Sequence, residues 1–139
     1  MSRILITNCL QIFTAADEAP REGEDILIEG NRIAGIGPDL QVDVPVDREI
    51  SGSTLVVIPG LVNTHHHFYQ TLTRNLPAVQ NAELFDWLVY LYEVWKHLDA
   101  EAVYVSGLLA MGELLKTGCT TSTDHHYLFP RDASPELID

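Results

Sequence analysis

The chain has 139 residues, of which 46% are apolar and 20% are charged, a composition that supports a packed core and excludes a disordered or low-complexity segment. Its 20 acidic and 8 basic residues give a net charge of −12, which disfavours nucleic acid and membrane surfaces as partners. Two cysteines are too few for a secreted disulfide scaffold and no apolar run reaches membrane-spanning length, so we expect a cytoplasmic protein.

The first part of the chain is predicted to be β structure. A short strand begins at Ile4, and the apolar segments 25–29 and 32–36 flank a Gly-Asn pair that is typical of a hairpin turn. Residues 37–53 are rich in Pro, Gly and Asp, which indicates a loop with at most a short edge strand. We therefore expect a small β-rich module over residues 1–58.

A continuous apolar run follows, and the period of the pattern then changes. Leu55–Ile58 predicts a strand buried on both faces, which Pro59-Gly60 terminates. After residue 80, apolar side chains spaced 4-3-4-3 predict a helix; they are Leu84, Leu88, Leu91, Trp95 and Leu98. Trp87 and Trp95 lie in this segment and are expected to be core residues.

A second helix and a second strand complete the predicted unit. Asp99 is a suitable N-cap, and the helix should end near Lys116, before Gly118. The threonine-rich segment 119–123 predicts a strand. A strand, helices and a second strand form a βαβ unit, which implies parallel strands and an α/β fold.

Histidines follow both predicted strands. His65, His66 and His67 come after the first strand, and His125 and His126 after the second. Ligands collect at the carboxyl ends of parallel strands. Because residues i and i+2 of extended chain point to the same side, His65 and His67 can reach one metal ion, with His66 pointing away. Imidazole pairs suit Zn²⁺, with Fe²⁺ as the second choice.

Other polar residues near these strand ends have more than one interpretation each. Asp124 could orient a ligand histidine or cap a turn, and His125 and His126 could be hydrogen-bond donors behind the ligands, substrate contacts or structural residues. Gln70 could bind the edge of a heterocycle or the loop backbone. Arg74 could hold an anion or pin the loop, and we favour pinning.

The segment VVIPGLVNTHHHFYQTLTRNLP, residues 56–77, resembles the amidohydrolase superfamily of metal-dependent hydrolases, which combine a (β/α)8 barrel with a small β-sandwich. Residues 65–74, 84–88 and 124–130 are most similar to its purine and triazine deaminase branch, and within it to the 8-oxoguanine deaminases. The resemblance implies hydrolytic deamination of an amino-substituted, purine-like ring. It also implies that His65 and His67 are metal ligands and that Gln70 contacts the substrate.

The resemblance further implies an incomplete barrel. Residues 1–58 would be half of the β-sandwich, and residues 59–139 the first βαβ part of a TIM barrel, which takes about 250 residues. We therefore expect an N-terminal piece of a longer enzyme that is inactive alone, with no catalytic residue in this chain and the remaining metal ligands downstream. The full-length form is expected to be a homo-oligomer that acts on a small heterocycle.

Two other functions remain open. His65, His67, His125 and His126 could form the site of a small, non-enzymatic metal-binding protein, although structural zinc sites favour cysteine. The chain could also come from another amidohydrolase, such as a triazine hydrolase or a cyclic amidase.

Overall fold

The computed structural model describes residues 1–129 and Leu137 and divides the chain into two compact units, Met1–Pro59 and Gly60–Asp139. The first unit contains six strands: β1 (Arg3–Thr7), β2 (Gln11–Ile12), β3 (Asp25–Glu29), β4 (Arg32–Gly37), β5 (Arg48–Ser51) and β6 (Val56–Val57). The described residues of the second unit form two strands, two 3₁₀ helices and two α-helices: β7 (Leu61–Asn63), Phe68–Thr73, Pro77–Val79, α1 (Leu84–Trp95), α2 (Ala100–Lys116) and β8 (Cys119–Ser122). In the described part of the chain, no helix has the length and apolar character needed to cross a membrane.

The first unit is built on a four-stranded sheet in the order β4-β3-β1-β5. β3 is antiparallel to β1 and β4, and its hairpin turns at Gly30, whose φ of +61° suits glycine. β5 pairs with β1 in parallel at the edge, in agreement with the predicted short edge strand. Cys9, Ile12 and Ile26 form the buried core, and burial raises the pKa of the Cys9 thiol.

The predicted strand over Leu55–Ile58 is present but shorter than expected, and the predictions of burial on both faces and of pairing with β8 are wrong. Only Val56–Val57 is a strand, β6, and it pairs in parallel with the two-residue β2 inside the first unit. The side chains are not fully buried: Leu55 is 41% exposed and Ile58 is 55% exposed. An apolar run identifies a strand by its composition but does not reveal its partner. The strand that leads into the histidines is β7, which begins after Pro59-Gly60.

The second unit contains two parallel strands joined through helices, as predicted, but the first of them is β7 and not Leu55–Ile58. β7 pairs with β8 in parallel, with one bulge between Leu61 and Val62, and both α-helices lie between them in sequence. The predicted ends of α2 are confirmed. The Asp99 carboxylate accepts a hydrogen bond from the Ala102 amide at 2.8 Å, and Gly118 follows the helix with a φ of +85°.

Aromatic side chains form the core of this unit. Trp95 is fully buried, as predicted, with its ring 5.2 Å from that of Tyr69. Its indole Nε1 donates to the Thr73 hydroxyl at 3.0 Å, which satisfies its polar atom. Trp87 packs against this core and is partly buried. Leu84, the first residue of the predicted apolar stripe, is instead 64% exposed.

Gly60 should be required where β7 begins. A Cβ there would overlap the Thr120 side chain, with Thr120 Cγ2 at 2.6 Å and Cβ at 2.8 Å. We expect Gly60→Ala to lower the free energy of unfolding by about 1–3 kcal/mol through overpacking, measured by urea denaturation of the protein expressed from its complete gene. Adding Thr120→Ala should recover part of the loss.

The matched control is Gly112→Ala in α2, where no atom of the described residues, apart from the backbone of α2 itself, lies within 4 Å of the added Cβ. We expect that variant to be stabilised by up to about 1 kcal/mol, because alanine is the better helix former. A Gly60→Ala protein as stable as the original would contradict the close approach of β7 and β8.

Candidate metal and substrate site

Hydrogen bonds hold the segment between β7 and the 3₁₀ helix Phe68–Thr73 beside the segment that follows β8. The Asn63 side-chain oxygen accepts from the His65 amide at 2.9 Å, which turns the chain as β7 ends. Two backbone hydrogen bonds then join the segments: Thr123 N–H to Asn63 O at 3.0 Å, and His125 N–H to His66 O at 2.8 Å. Pairing between the two strand ends therefore continues through the histidines.

The structure brings His65 and His67 together. Their Nε2 atoms are 3.2 Å apart and their rings are nearly perpendicular, at 86°. Two nitrogens that each lie about 2.0–2.1 Å from one tetrahedral zinc ion are separated by about 3.3 Å. The Nε2 pair therefore has the spacing of two ligands to a single ion.

The tautomer of His67 is set by the backbone of the other strand end. Its Nδ1 lies 2.8 Å from the carbonyl oxygen of His125. A carbonyl can only accept, so Nδ1 carries the proton and Nε2 keeps its lone pair. This contact is the type of outer hydrogen bond that orients histidine ligands in metal sites.

The side chain of His66 makes different contacts from those of His65 and His67. Its ring lies 4.8 Å from the ring of Phe68, in an edge-on arrangement. Its Nδ1 is buried and has no hydrogen-bond partner in the described part of the chain. His66 borders the same depression as His65 and His67, but its ring packs on Phe68 and takes no part in the contact between the two Nε2 atoms.

His125 and His126 have different roles in the structure. The His125 ring stacks on His65 at 4.7 Å and 28°, and its backbone holds His66 and His67. His126 Nε2 lies 2.6 Å from the Leu128 carbonyl, and its ring packs against Tyr69, so His126 is a structural residue. Among residues 1–129 and Leu137, no three His, Cys, Asp or Glu side chains are grouped to hold a metal ion. The hypothesis of a four-histidine site is therefore not supported there.

Asp124 acts as a cap. Its Oδ1 accepts from the amide of Phe68 at 2.9 Å, at the beginning of the 3₁₀ helix Phe68–Thr73. Its Oδ2 is 3.8 Å from Nδ1 of His126. Of its two interpretations, the turn cap agrees with the structure, although the capped residue is 56 positions away in sequence.

Gln70 lines the same open depression as the three histidines. Its side-chain Nε2 donates to the hydroxyl of Tyr127 at 3.0 Å and to that of Tyr69 at 3.2 Å. The side chain is therefore held by two phenols rather than by loop backbone. Sequence reasoning missed both tyrosines as site residues. The one signal that could have indicated Tyr127 is its position directly after His125 and His126.

The segment after the histidines is fastened to α2. Arg74 forms a two-pronged ion pair with Glu113, with both N···O distances 2.6 Å, in agreement with the favoured pinning interpretation. The hydrogen bonds from Arg74 hold the pKa of the Glu113 carboxyl below its ordinary value. Deeper in the unit, the Ser106 hydroxyl donates to the Phe68 carbonyl at 2.6 Å and accepts from the Leu72 amide at 3.3 Å.

Comparison with known sequences gives a consistent set of similar proteins. Residues 56–133 match the profile of the amidohydrolase family. The 8-oxoguanine deaminase of Pseudomonas aeruginosa is 47% identical over 130 residues, which cover 94% of this chain and 29% of that protein. The hydroxydechloroatrazine ethylaminohydrolase of Pseudomonas sp. strain ADP is 39% identical over 84% of this chain and 26% of its own length.

Solved structures agree with the sequence matches. The atrazine chlorohydrolase of Arthrobacter aurescens TC1, complexed with zinc, overlays with a TM-score of 0.80 at 29% identity, covering 91% of this chain and 29% of that one. An adenosine deaminase from Xanthomonas campestris with bound zinc gives a TM-score of 0.76 at 24% identity, which shows the fold alone. This chain spans less than a third of the length of each of these four proteins. The expected α/β fold, with part of a TIM barrel, is confirmed.

The cap at Asp124 leads to a test of how the histidine segment is held. Asp124→Ala removes the acceptor for the Phe68 amide, so we expect a loss of about 0.5–2 kcal/mol in the free energy of unfolding, as for other lost caps. Asp124→Asn keeps an acceptor oxygen and should retain most of the stability. Urea unfolding of the three proteins measures both values. An equal loss in both variants would show that the charge of Asp124 matters more than its hydrogen bond.

Proposed function

Because this chain belongs to the amidohydrolase family, we propose that the protein is a metal-dependent hydrolytic deaminase of an amino-substituted, purine-like heterocycle. In this proposal the chain contributes two metal ligands, His65 and His67, and part of the substrate pocket. The observation that carries the proposal is the 3.2 Å separation of their Nε2 atoms, with the His67 tautomer set by the His125 carbonyl.

The donor set fits zinc, with Fe²⁺ as the second choice. Two neutral imidazoles at this separation match tetrahedral zinc, and the atrazine chlorohydrolase crystallised with zinc supports this metal. The chemistry that a bound zinc supplies is a water whose pKa is lowered to near 7. A catalytic zinc normally takes three protein ligands, so we propose that residues outside the described part of the chain complete the set.

The residues of this chain have distinct tasks in the proposed reaction. His67, whose Nδ1–H donates to the His125 carbonyl, keeps its Nε2 lone pair available. His65 is held in place by the stacked ring of His125. Gln70, in the same depression, offers a polar side chain to the edge of a flat heterocycle. If the substrate buried the side-chain oxygen of Gln70 without bonding to it, the cost would be about 1–3 kcal/mol.

We propose 8-oxoguanine as the first substrate to test, because the relative that is 47% identical is an 8-oxoguanine deaminase. A second candidate is the hydrolysis of an alkylamino-triazine, which the similarity to hydroxydechloroatrazine ethylaminohydrolase supports. Both reactions break a C–N bond of a small, flat ring. We expect the pocket around Gln70 to distinguish the two ring types.

Metal content tests the assignment of the ligands. In the protein expressed from its complete gene, we expect His65→Ala and His67→Ala to lose most of the bound zinc, because each removes a ligand. The matched control is the neighbouring His66→Ala, which should keep nearly full zinc content. Zinc per chain is measured by elemental analysis after dialysis. Loss of zinc from the His66 variant equal to that from the His67 variant would contradict the assignment.

Ammonia release tests the activity. We expect the protein from the complete gene to deaminate 8-oxoguanine in the presence of Zn²⁺. The 139-residue chain alone should be at least about 100-fold slower, since it supplies two ligands and general acid–base catalysis alone contributes about 10²–10⁴-fold. Failure of the complete protein to release ammonia from any amino-purine, or an alkylamine from any alkylamino-triazine, would refute the proposed function. A full rate from the 139-residue chain would show that its own residues complete the site.

A further inference from the structure

We propose that Tyr127 is a positioning residue that fixes the orientation of the Gln70 amide, so that Gln70 accepts a hydrogen bond from a ring N–H of the substrate. The proposal rests on the proposed function and deepens it, because it states which hydrogen-bonding group the pocket offers and therefore which heterocycles it selects.

The first step of the argument is the rigid support behind Gln70. Tyr69 is fully buried, with its ring 5.2 Å from Trp95 and 5.3 Å from His126, both edge-on. Burial raises the pKa of the Tyr69 hydroxyl, so it stays protonated and neutral. One of the two phenols that hold Gln70 is therefore a fixed part of the core.

The second step is the position of Tyr127. Its hydroxyl lies 3.0 Å from Gln70 Nε2, and its ring is 5.2 Å from the ring of His67 and 5.4 Å from that of Tyr69. Tyr127 thus bridges the proposed metal ligands and the proposed substrate contact. It is 40% exposed, so its role is not that of a core residue.

The third step is a count of donors and acceptors. The amide nitrogen of glutamine has two hydrogens, and here two phenol oxygens accept them. Both donors of Gln70 are therefore used inside the protein, whereas its carbonyl oxygen Oε1 has no hydrogen-bond partner among residues 1–129 and Leu137. A free carbonyl oxygen selects ligands that present an N–H, such as the lactam and urea-type N–H groups of oxo-purines.

Coupling between the two residues distinguishes positioning from a merely structural role. In the zinc-loaded protein from the complete gene, we expect Tyr127→Phe to lower kcat/KM for 8-oxoguanine by about three- to tenfold, the usual range for one hydrogen bond. Gln70→Ala should lower it further, and the double variant should equal Gln70→Ala alone. Zinc content should stay constant throughout. The matched control is Tyr90→Phe on α1, outside this cluster, which should behave as the original protein.

The acceptor role is tested by Gln70→Glu, which keeps a side-chain oxygen of similar reach and removes the amide donor. We expect this variant to retain more activity than Gln70→Ala. A Tyr127→Phe effect that multiplies with that of Gln70→Ala, or no effect of Tyr127→Phe, would overturn the positioning role. A Gln70→Glu protein no better than Gln70→Ala would overturn the acceptor role. An original protein that deaminates no amino-heterocycle would overturn the proposed function and this inference with it, whereas the other outcomes leave the function intact.

Discussion

The site depends on one hydrogen bond, from His67 Nδ1 to the carbonyl oxygen of His125. The two residues follow β7 and β8 and are 58 positions apart in sequence, and the bond selects the tautomer that leaves Nε2 free. Since the His125 ring also stacks on His65, His125 holds both members of the Nε2 pair. Two histidines that are close in sequence are thus oriented by a third that is remote in sequence.

The rest of the second unit maintains the alignment of these strand ends. Gly60 lets β7 approach Thr120 of β8, and Asp124 fixes the amide of Phe68 just after the histidines. From the other side, α2 holds the 3₁₀ segment through the buried Ser106 hydroxyl. A single hydrogen bond contributes only about 0.5–1.5 kcal/mol net, so the precision of the site comes from several contacts that act on the same short segment.

The sequence predicted the features that depend on local periodicity or on one residue's conformational preference. The alternation of side chains in extended chain predicted that His65 and His67 lie together without His66. Asp99 and Gly118 predicted the ends of α2. The contacts that complete the site could not be predicted, because they join distant positions. The Tyr127 hydroxyl meets Gln70 only through the parallel pairing of β7 and β8. The partner of the strand within Leu55–Ile58 could not be predicted for the same reason, since that partner, β2, has two residues and no pattern of its own.

The central claim is that one metal ion lies between Nε2 of His65 and Nε2 of His67. Anomalous diffraction at the zinc edge, from crystals of the protein expressed from its complete gene and grown with Zn²⁺, locates that ion directly. The account predicts one peak about 2.0–2.1 Å from both Nε2 atoms, with His67 Nδ1 still bonded to the His125 carbonyl. A peak on His66, or on the rings of His125 and His126 without His65 and His67, would contradict it.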